Sequence, residues 1–395
     1  MKDSTRLVTL GRDHHTQATG DTADFVNPQL VRGSTVLHDS VADLRERVAR
    51  RNAGADGPPV AYGISGSPTP HAFYDALTAL EGGYRSWAFP SGLTACTMAI
   101  LAYVAQGDHV LVPDSVYFPT RRFCRDTLPR DGVTTTFYDP RIGTEIEALF
   151  TPTTRVLFLE SPGSHTFEMQ DVPLLAAIAQ RHGAVSIIDN TWATPLYFQP
   201  LKHGVDVSVH AATKYIGGHS DLLMGTVTST ERAWPRLRET IHHYGLTVSA
   251  DECYLALRGL RSMGARLAQH RATAEALIAW LKQQPEVERI LYPADPADPG
   301  YALWQRDMTG ASGLFGVVLK PSITQHQMAT LIDGLQLFGR GYSWGGFESL
   351  LIPTSVERTV SPLPGTGPIF RVAAGLEHAS DLIADLDQGF ARLRR

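Results

Sequence analysis

Three short segments carry the residue types from which a Schiff-base site could be built. Lys214 follows the apolar run Val205–His210 and the small-residue turn Ala211-Ala212-Thr213, and leads into Tyr215-Ile216-Gly217-Gly218. It is one of five lysines in a chain rich in arginine. A lysine held partly out of water loses basicity, which frees its amine for Schiff-base chemistry. An exposed loop lysine would fit the same residue taken alone. Asp189 ends the apolar run Ala184-Val185-Ser186-Ile187-Ile188. It could cap the following turn, or it could pair with a protonated ring nitrogen. Phe89-Pro90-Ser91-Gly92-Leu93-Thr94 opens a helix. Such a start offers free N–H groups and the positive end of the helix dipole to a phosphate, although a plain serine cap explains it equally well.

Each segment is ambiguous alone, but an amine, a carboxylate and a phosphate cradle together specify pyridoxal 5'-phosphate (PLP). Rival cofactor signatures are missing: no G-x-G-x-x-G follows a strand, and no G-x-x-x-x-G-K-[ST] occurs. Gly217-Gly218-His219-Ser220 is not a G-x-S-x-G elbow. His14-His15 and His242-His243 lack the i, i+4 spacing of helical metal ligands and read as ordinary surface or loop histidines. No metal is expected.

The elements that would position these residues alternate. Strands are expected at His109–Pro113, Thr134–Tyr138, Val156–Glu160, Val185–Asp189 and Val205–His210. Helices are expected at Ala72–Leu80, stopping at Gly82-Gly83, and at Gly92–Gln106, ending at Gly107. A further helix, Val172–Arg181, has Asp171 as cap and Gly183 as stop. Nearly all-apolar strands separated by helices imply a mostly parallel sheet covered on both faces, with ligands outside the strands' carboxyl ends. Those ends carry Asp114-Ser115-Val116-Tyr117, Glu160-Ser161-Pro162-Gly163-Ser164, Asp189-Asn190-Thr191-Trp192 and Thr213-Lys214.

A helix from Ser40 to Arg51 and the Gly/Pro-rich stretch Asn52–Pro70 suggest an arm that wraps a neighbour. After a long helical region at about 251–284, Leu314–Leu319 and Phe370–Ala374 read as strands of a smaller α+β unit. The expected division is an N-terminal arm at 1–70, a cofactor-binding α/β domain at 71–257 and a C-terminal α+β domain at 258–395. Pro293–Pro299 reads as a surface loop.

The chain's 395 residues suffice for two or three domains. Hydrophobic residues at 43% and a net charge of -5 exclude general disorder and give no basic footprint for nucleic acid. Charged residues at 19% fall below the ~25% typical of soluble domains, so much surface is expected to be buried in a core or against other subunits. Three scattered cysteines, Cys96, Cys124 and Cys253, suggest a reducing, cytoplasmic setting. Leu93–Ala105 is too short to span a membrane.

The motifs Leu80-Glu81-Gly82-Gly83, Gln106-Gly107-Asp108-His109-Val110-Leu111, Leu159–Ser164, Ile188–Ala193, Ala211–Tyr215, Gly218-His219-Ser220-Asp221 and Tyr342–Leu350 identify a resemblance. From about Tyr62 to Leu393 the sequence resembles the Cys/Met-metabolism group of PLP enzymes of fold-type I, and within it the bacterial cystathionine β-lyases. Asn190-Thr191-Trp192-Ala193 and Tyr342-Ser343-Trp344-Gly345-Gly346 resemble the β-lyase branch more than the γ-synthase or γ-lyase branches.

The resemblance implies that Lys214 attaches the cofactor, Asp189 pairs with its ring nitrogen and Tyr117 stacks on the ring. It further implies that Gly92, Leu93 and Thr213 hold the phosphate, and that Arg371, with Ser343, clamps the substrate carboxylate. Tyr62 would reach a neighbouring subunit's site within a homotetramer built as a dimer of dimers. One position departs: Ile64 stands in Tyr62-Gly63-Ile64 where the family leads one to expect a phosphate-binding arginine, and the loop His242–Gly245 also differs. The implied activity is β-cleavage of cystathionine or a related cysteine thioether, with other Cys/Met-metabolism activities as the alternative.

Overall fold

The computed structural model describes residues 1–11, 26–55 and 57–394. His14-His15 lies outside the described residues.

Seven strands build the larger sheet: β1 (Arg85–Phe89), β2 (His109–Pro113), β3 (Thr134–Tyr138), β4 (Thr154–Glu160), β5 (Val185–Asp189), β6 (Val207–Ala211) and β7 (Gly225–Ser229). Their order is β1-β7-β6-β5-β4-β2-β3, and β7 alone runs against the others. Crossover helices cover both faces, so central strands such as β2 are buried along their whole length. A second sheet is antiparallel throughout, in the order β10-β11-β9-β8, from β8 (Val287–Leu291), β9 (Leu314–Leu319), β10 (Leu350–Thr354) and β11 (Ile369–Ala373). The helix Ala250–Leu281 runs unbroken from beside one sheet to beside the other. The fold is thus an α/β architecture with a mostly parallel central sheet and a smaller α+β part.

Local chemistry accounts for the helix limits. Val41–Asn52 is capped by Ser40, whose oxygen accepts from the Asp43 N–H at 3.1 Å. The helix expected from Ala72 starts at Pro68, because proline is well suited to a helix's first turn, and it ends at Gly82 with φ 67°. The helix expected to reach Gln106 stops at Leu101. Beyond it, Asp108 takes the Ala105 N–H at 2.8 Å and the Tyr103 hydroxyl donates to Ala233 O at 2.8 Å, which pulls the chain out of helical register. His242 and His243 are not loop residues; they form the last turn of the helix Trp234–His243. Within Pro293–Pro299, Asp295 is buried and accepts from Lys282 Nζ at 2.7 Å, so that segment is anchored rather than a free surface loop.

A buried ion pair ties the two parts together across the cleft between the sheets. Asp114, just past β2, accepts from Arg121 Nη1 at 2.8 Å. It also accepts from the N–H groups of Thr359, Val360 and Ser361 and from the hydroxyls of Thr359 and Ser361, all at 2.8–3.0 Å. Arg121 in turn lies 4.1 Å from the Phe137 ring centroid. Burial alone would raise the Asp114 pKa, but these donors outweigh it and hold the carboxyl well below the usual range. Asp114→Ala should cost up to about 3–5 kcal/mol, because it leaves the buried Arg121 charge with only the half-exposed Glu357, 3.6 Å from Nε, as counter-ion; urea unfolding checks this. The sign for pH follows from the lowered value. The contribution is complete above the unfolded-state value of ~3.9 and is lost as pH falls toward the folded value. Acid titration of the parent and Asp114→Ala should therefore converge only below about pH 4.

Candidate active site

The carboxyl ends of the central strands and the loops of the smaller part enclose a cleft of about 1290 Å³. Gly92, Leu93, Tyr117, Asp189, Thr213, Lys214, Ser343 and Arg371 all line it. Residues as far apart in sequence as Gly92 and Arg371 thus meet in one place. Tyr62 does not join them: it is 48% exposed and lies outside the cleft of its own chain.

Lys214 sits at the turn after β6, and its Nζ donates to Ser343 Oγ at 2.7 Å. It also lies 5.4 Å from the Trp344 ring centroid. Burial, with the Arg371 charge beside it, brings the amine down to about 8, while Asp189 opposes the shift. Ser343 has a left-handed backbone, φ 79°, which is costly for a non-glycine residue. That geometry lets one residue serve both cations, since its carbonyl accepts from Arg371 Nη2 at 2.7 Å. Arg371 is on β11, buried, and burial lowers it to about 10, leaving it fully charged at neutral pH.

Asp189 ends β5 and does cap the turn after it: Oδ1 accepts from the Thr191 N–H at 3.0 Å and from the Thr191 hydroxyl. Its other oxygen accepts from Cys96 Sγ at 3.7 Å. The neighbouring strand ends in Glu160, the register partner of Asp189. Burial, with the Asp189 charge next, pushes Glu160 up; Glu160 Oε2 accepts from the Tyr117 N–H at 2.7 Å. Glu160 therefore fixes the backbone of the aromatic residue over the cleft. Burial and the same two carboxylates raise the Tyr117 hydroxyl, which stays protonated at neutral pH.

Ser91 caps the helix Gly92–Leu101, its Oγ accepting from Thr94 N at 3.1 Å. The first internal bond is given by Ala95 to Ser91 O, so Gly92 and Leu93 open the helix ahead of any intrahelical acceptor for their own N–H groups. A side chain at Gly92 is excluded by the strand beneath: its Cβ would lie 2.6 Å from Ala211 Cβ. Glycine is needed here for close helix–sheet packing, rather than only for the approach of an anion. The Thr213 hydroxyl donates to Met224 O at 3.2 Å. These features fit PLP: a desolvated amine, a carboxylate one strand away, and open amides at a helix start. Among the described residues lining the cleft, Lys214 and Arg371 are the two lysine or arginine side chains.

Sequence reasoning passed over Cys96 and His165, which also line the cleft. Nothing in the spacing marks Cys96. His165 directly follows the strand-end motif Glu160–Ser164, and that adjacency was the available signal. The two departures from the family pattern lie together, since Ile64 Cδ1 is 3.8 Å from the place a Cβ on Gly245 would occupy.

The model of the Cys/Met metabolism PLP-dependent enzymes matches residues 5–391. The cystathionine β-lyase of Escherichia coli K12 is 40% identical over 99% of this chain and 99% of its own. That of Bordetella avium is 41% identical over 98% and 97%. Among solved structures, the cystathionine γ-lyase of Lactobacillus plantarum complexed with L-serine superposes with a TM-score of 0.87 at 28% identity, covering both chains fully.

Proposed function

The chain belongs to the Cys/Met-metabolism PLP-dependent enzymes, and from that premise we propose that it is a carbon–sulfur β-lyase acting on L-cystathionine or a related cysteine thioether. The observation that carries the reading is the join at Ser343, which places the Lys214 amine and the Arg371 guanidinium on one residue. An amino acid whose carboxylate is held by Arg371 then presents its Cα to Lys214. The full-length identity to β-lyases supports β- over γ-cleavage.

When bound, PLP supplies the electron sink that makes the Cα proton acidic. Lys214 would attach it, and Asp189, fixed by Thr191 and Cys96, would pair with its ring nitrogen. Tyr117 would cover its ring, and Gly92, Leu93 and Thr213, which line the same cleft, would hold its phosphate. Arg371 binds the substrate carboxylate bidentately. Lys214 Nζ, whose lowered pKa leaves part of it unprotonated near neutrality, takes the proton from Cα. The Cβ–S bond breaks with its electron pair on sulfur, and one water is consumed overall to give a thiol, pyruvate and ammonia. A panel of cysteine thioethers with products identified by mass spectrometry tests this reading. Pyruvate should form in step with thiol; no keto acid from any member would contradict it.

The protein is further proposed to be a cytoplasmic homotetramer, a dimer of dimers in which Tyr62 completes the partner's site. The buried free thiols support a reducing compartment. No helix among the described residues is long and apolar enough to cross a membrane. Support for assembly comes from the arm, whose helix Val41–Asn52 buries no residue and where Leu37, Val41 and Leu44 are exposed. Ile64 stands where the family leads one to expect a phosphate-binding arginine. Ile64→Arg should therefore slow PLP loss on dialysis, a charge-assisted contact being worth roughly 1.5–3 kcal/mol. Unchanged PLP release, or a monomer by light scattering, would contradict the shared site.

A further inference from the structure

We propose that His165 is a second contact for the substrate carboxylate, donating a hydrogen bond to it beside Arg371 and thereby setting specificity for amino acids over amines. The inference rests on the reading of the cleft given above. His165 lines the cleft in the loop after β4. Its carbonyl lies 3.2 Å from the Cβ position of Gly316, and Gly316 is the register partner of Arg371 across β9 and β11. The histidine loop is therefore laid against the strand pair that carries the guanidinium.

Of the three buried nitrogens in this region without a hydrogen-bond partner, Arg358 Nε is on a residue outside the cleft lining, whereas His165 Nδ1 and Arg371 Nε are on residues that line it. Both can donate, and buried donors without acceptors are rare because each forfeits its hydration. A carboxylate is acceptor-only, with room for several donors, and so is the complement of such a pair. Burial and the flanking charges of Arg371 and Arg358 hold the imidazole at about 4, so it is neutral at working pH. A neutral ring keeps one N–H to give without adding a third like charge beside the two guanidiniums. The backbone also commits to this placement. His165 has φ 64°, a left-handed conformation, yet the loop is locked around it by Ser164 N–H to Ser115 O at 2.8 Å and Phe167 N–H to Gly163 O at 3.0 Å. Strain of this kind in a non-glycine residue persists where the surroundings over-determine it, and it clusters at ligand sites.

His165→Gly removes the ring while suiting the left-handed backbone, so the variant should fold. His165→Asn keeps a donor and tolerates that backbone. The holoenzymes are compared by KM and kcat for S-ethyl-L-cysteine, and by calorimetric affinity for L-alanine and for ethylamine, its analogue without a carboxylate. The expected result for His165→Gly is a KM and an L-alanine dissociation constant raised roughly tenfold or more, as for loss of a hydrogen bond to a charged group. Its kcat and ethylamine affinity should stay within about threefold, and His165→Asn should recover most of the loss. If S-ethyl-L-cysteine is not cleaved at all, the lyase reading fails while L-alanine binding still reports on His165. The proposal is overturned if KM and L-alanine affinity are unchanged in His165→Gly, or if ethylamine binding falls equally.

Discussion

Lys214→Ala should abolish turnover, lowering keto-acid release by at least about 10⁴-fold, the upper range for removing a positioned acid–base group. The size of the effect follows from the crowding of roles on one atom. Nζ is proposed both as the amine that attaches the cofactor and as the base at the substrate's Cα, and burial and Arg371 bring it down to about 8. Neither carboxylate of the cleft is free to substitute. Asp189 is already bonded to Thr191 and Cys96, and Glu160 is raised by burial and bound to the Tyr117 amide. A readout besides activity comes from borohydride reduction followed by mass spectrometry of the denatured chain. The parent should carry a covalent cofactor adduct at Lys214, and Lys214→Ala should carry none. A variant that keeps full activity would remove Lys214 from the chemistry.

The second large effect is expected at Arg371. Arg371→Ala should weaken amino-acid binding by on the order of 30- to several-thousand-fold, the equivalent of about 2–5 kcal/mol for truncating one side of a charge-assisted bidentate contact. Cofactor content should remain near that of the parent, because the cradle, the amine and Asp189 stand on other strands. Arg371→Lys should rescue poorly. One ammonium cannot both hold Ser343 O and present a planar fork to a carboxylate. Loss of PLP with unchanged substrate affinity would instead make Arg371 a structural residue.

Much of the architecture was legible because short apolar or β-branched runs recur at crossover spacing between helices. β2, β3, β5 and β9 fall on the expected residues, and the helix Val172–Arg181 has its Asp171 cap, with Leu174 N–H donating at 3.3 Å. Four strands escaped notice: β1, β7, β8 and β10. β7 reads Gly-Thr-Val-Thr-Ser and is buried throughout despite its hydroxyls, of which Thr228 pairs with Ser86 at 2.7 Å. β10 carries Pro353, which an edge strand tolerates but a pattern search rejects.

The site was legible where residue type and strand end coincide, at Asp189 and Lys214. Ser343 and Arg371 came from the family resemblance, and their link to Lys214 depends on a left-handed serine that no spacing rule predicts. Asp114 was visible as a strand-end residue. Its role as a clamp was not, because its six donor groups come from Arg121 and from a segment about 245 residues away.

The central claim is β-cleavage of a cysteine thioether, and incubation of the purified holoenzyme with L-cystathionine tests it most directly. Homocysteine and pyruvate, formed in equal amounts with ammonia, are the products predicted. Cysteine and 2-oxobutyrate would place the broken bond on the other side of sulfur and contradict the account.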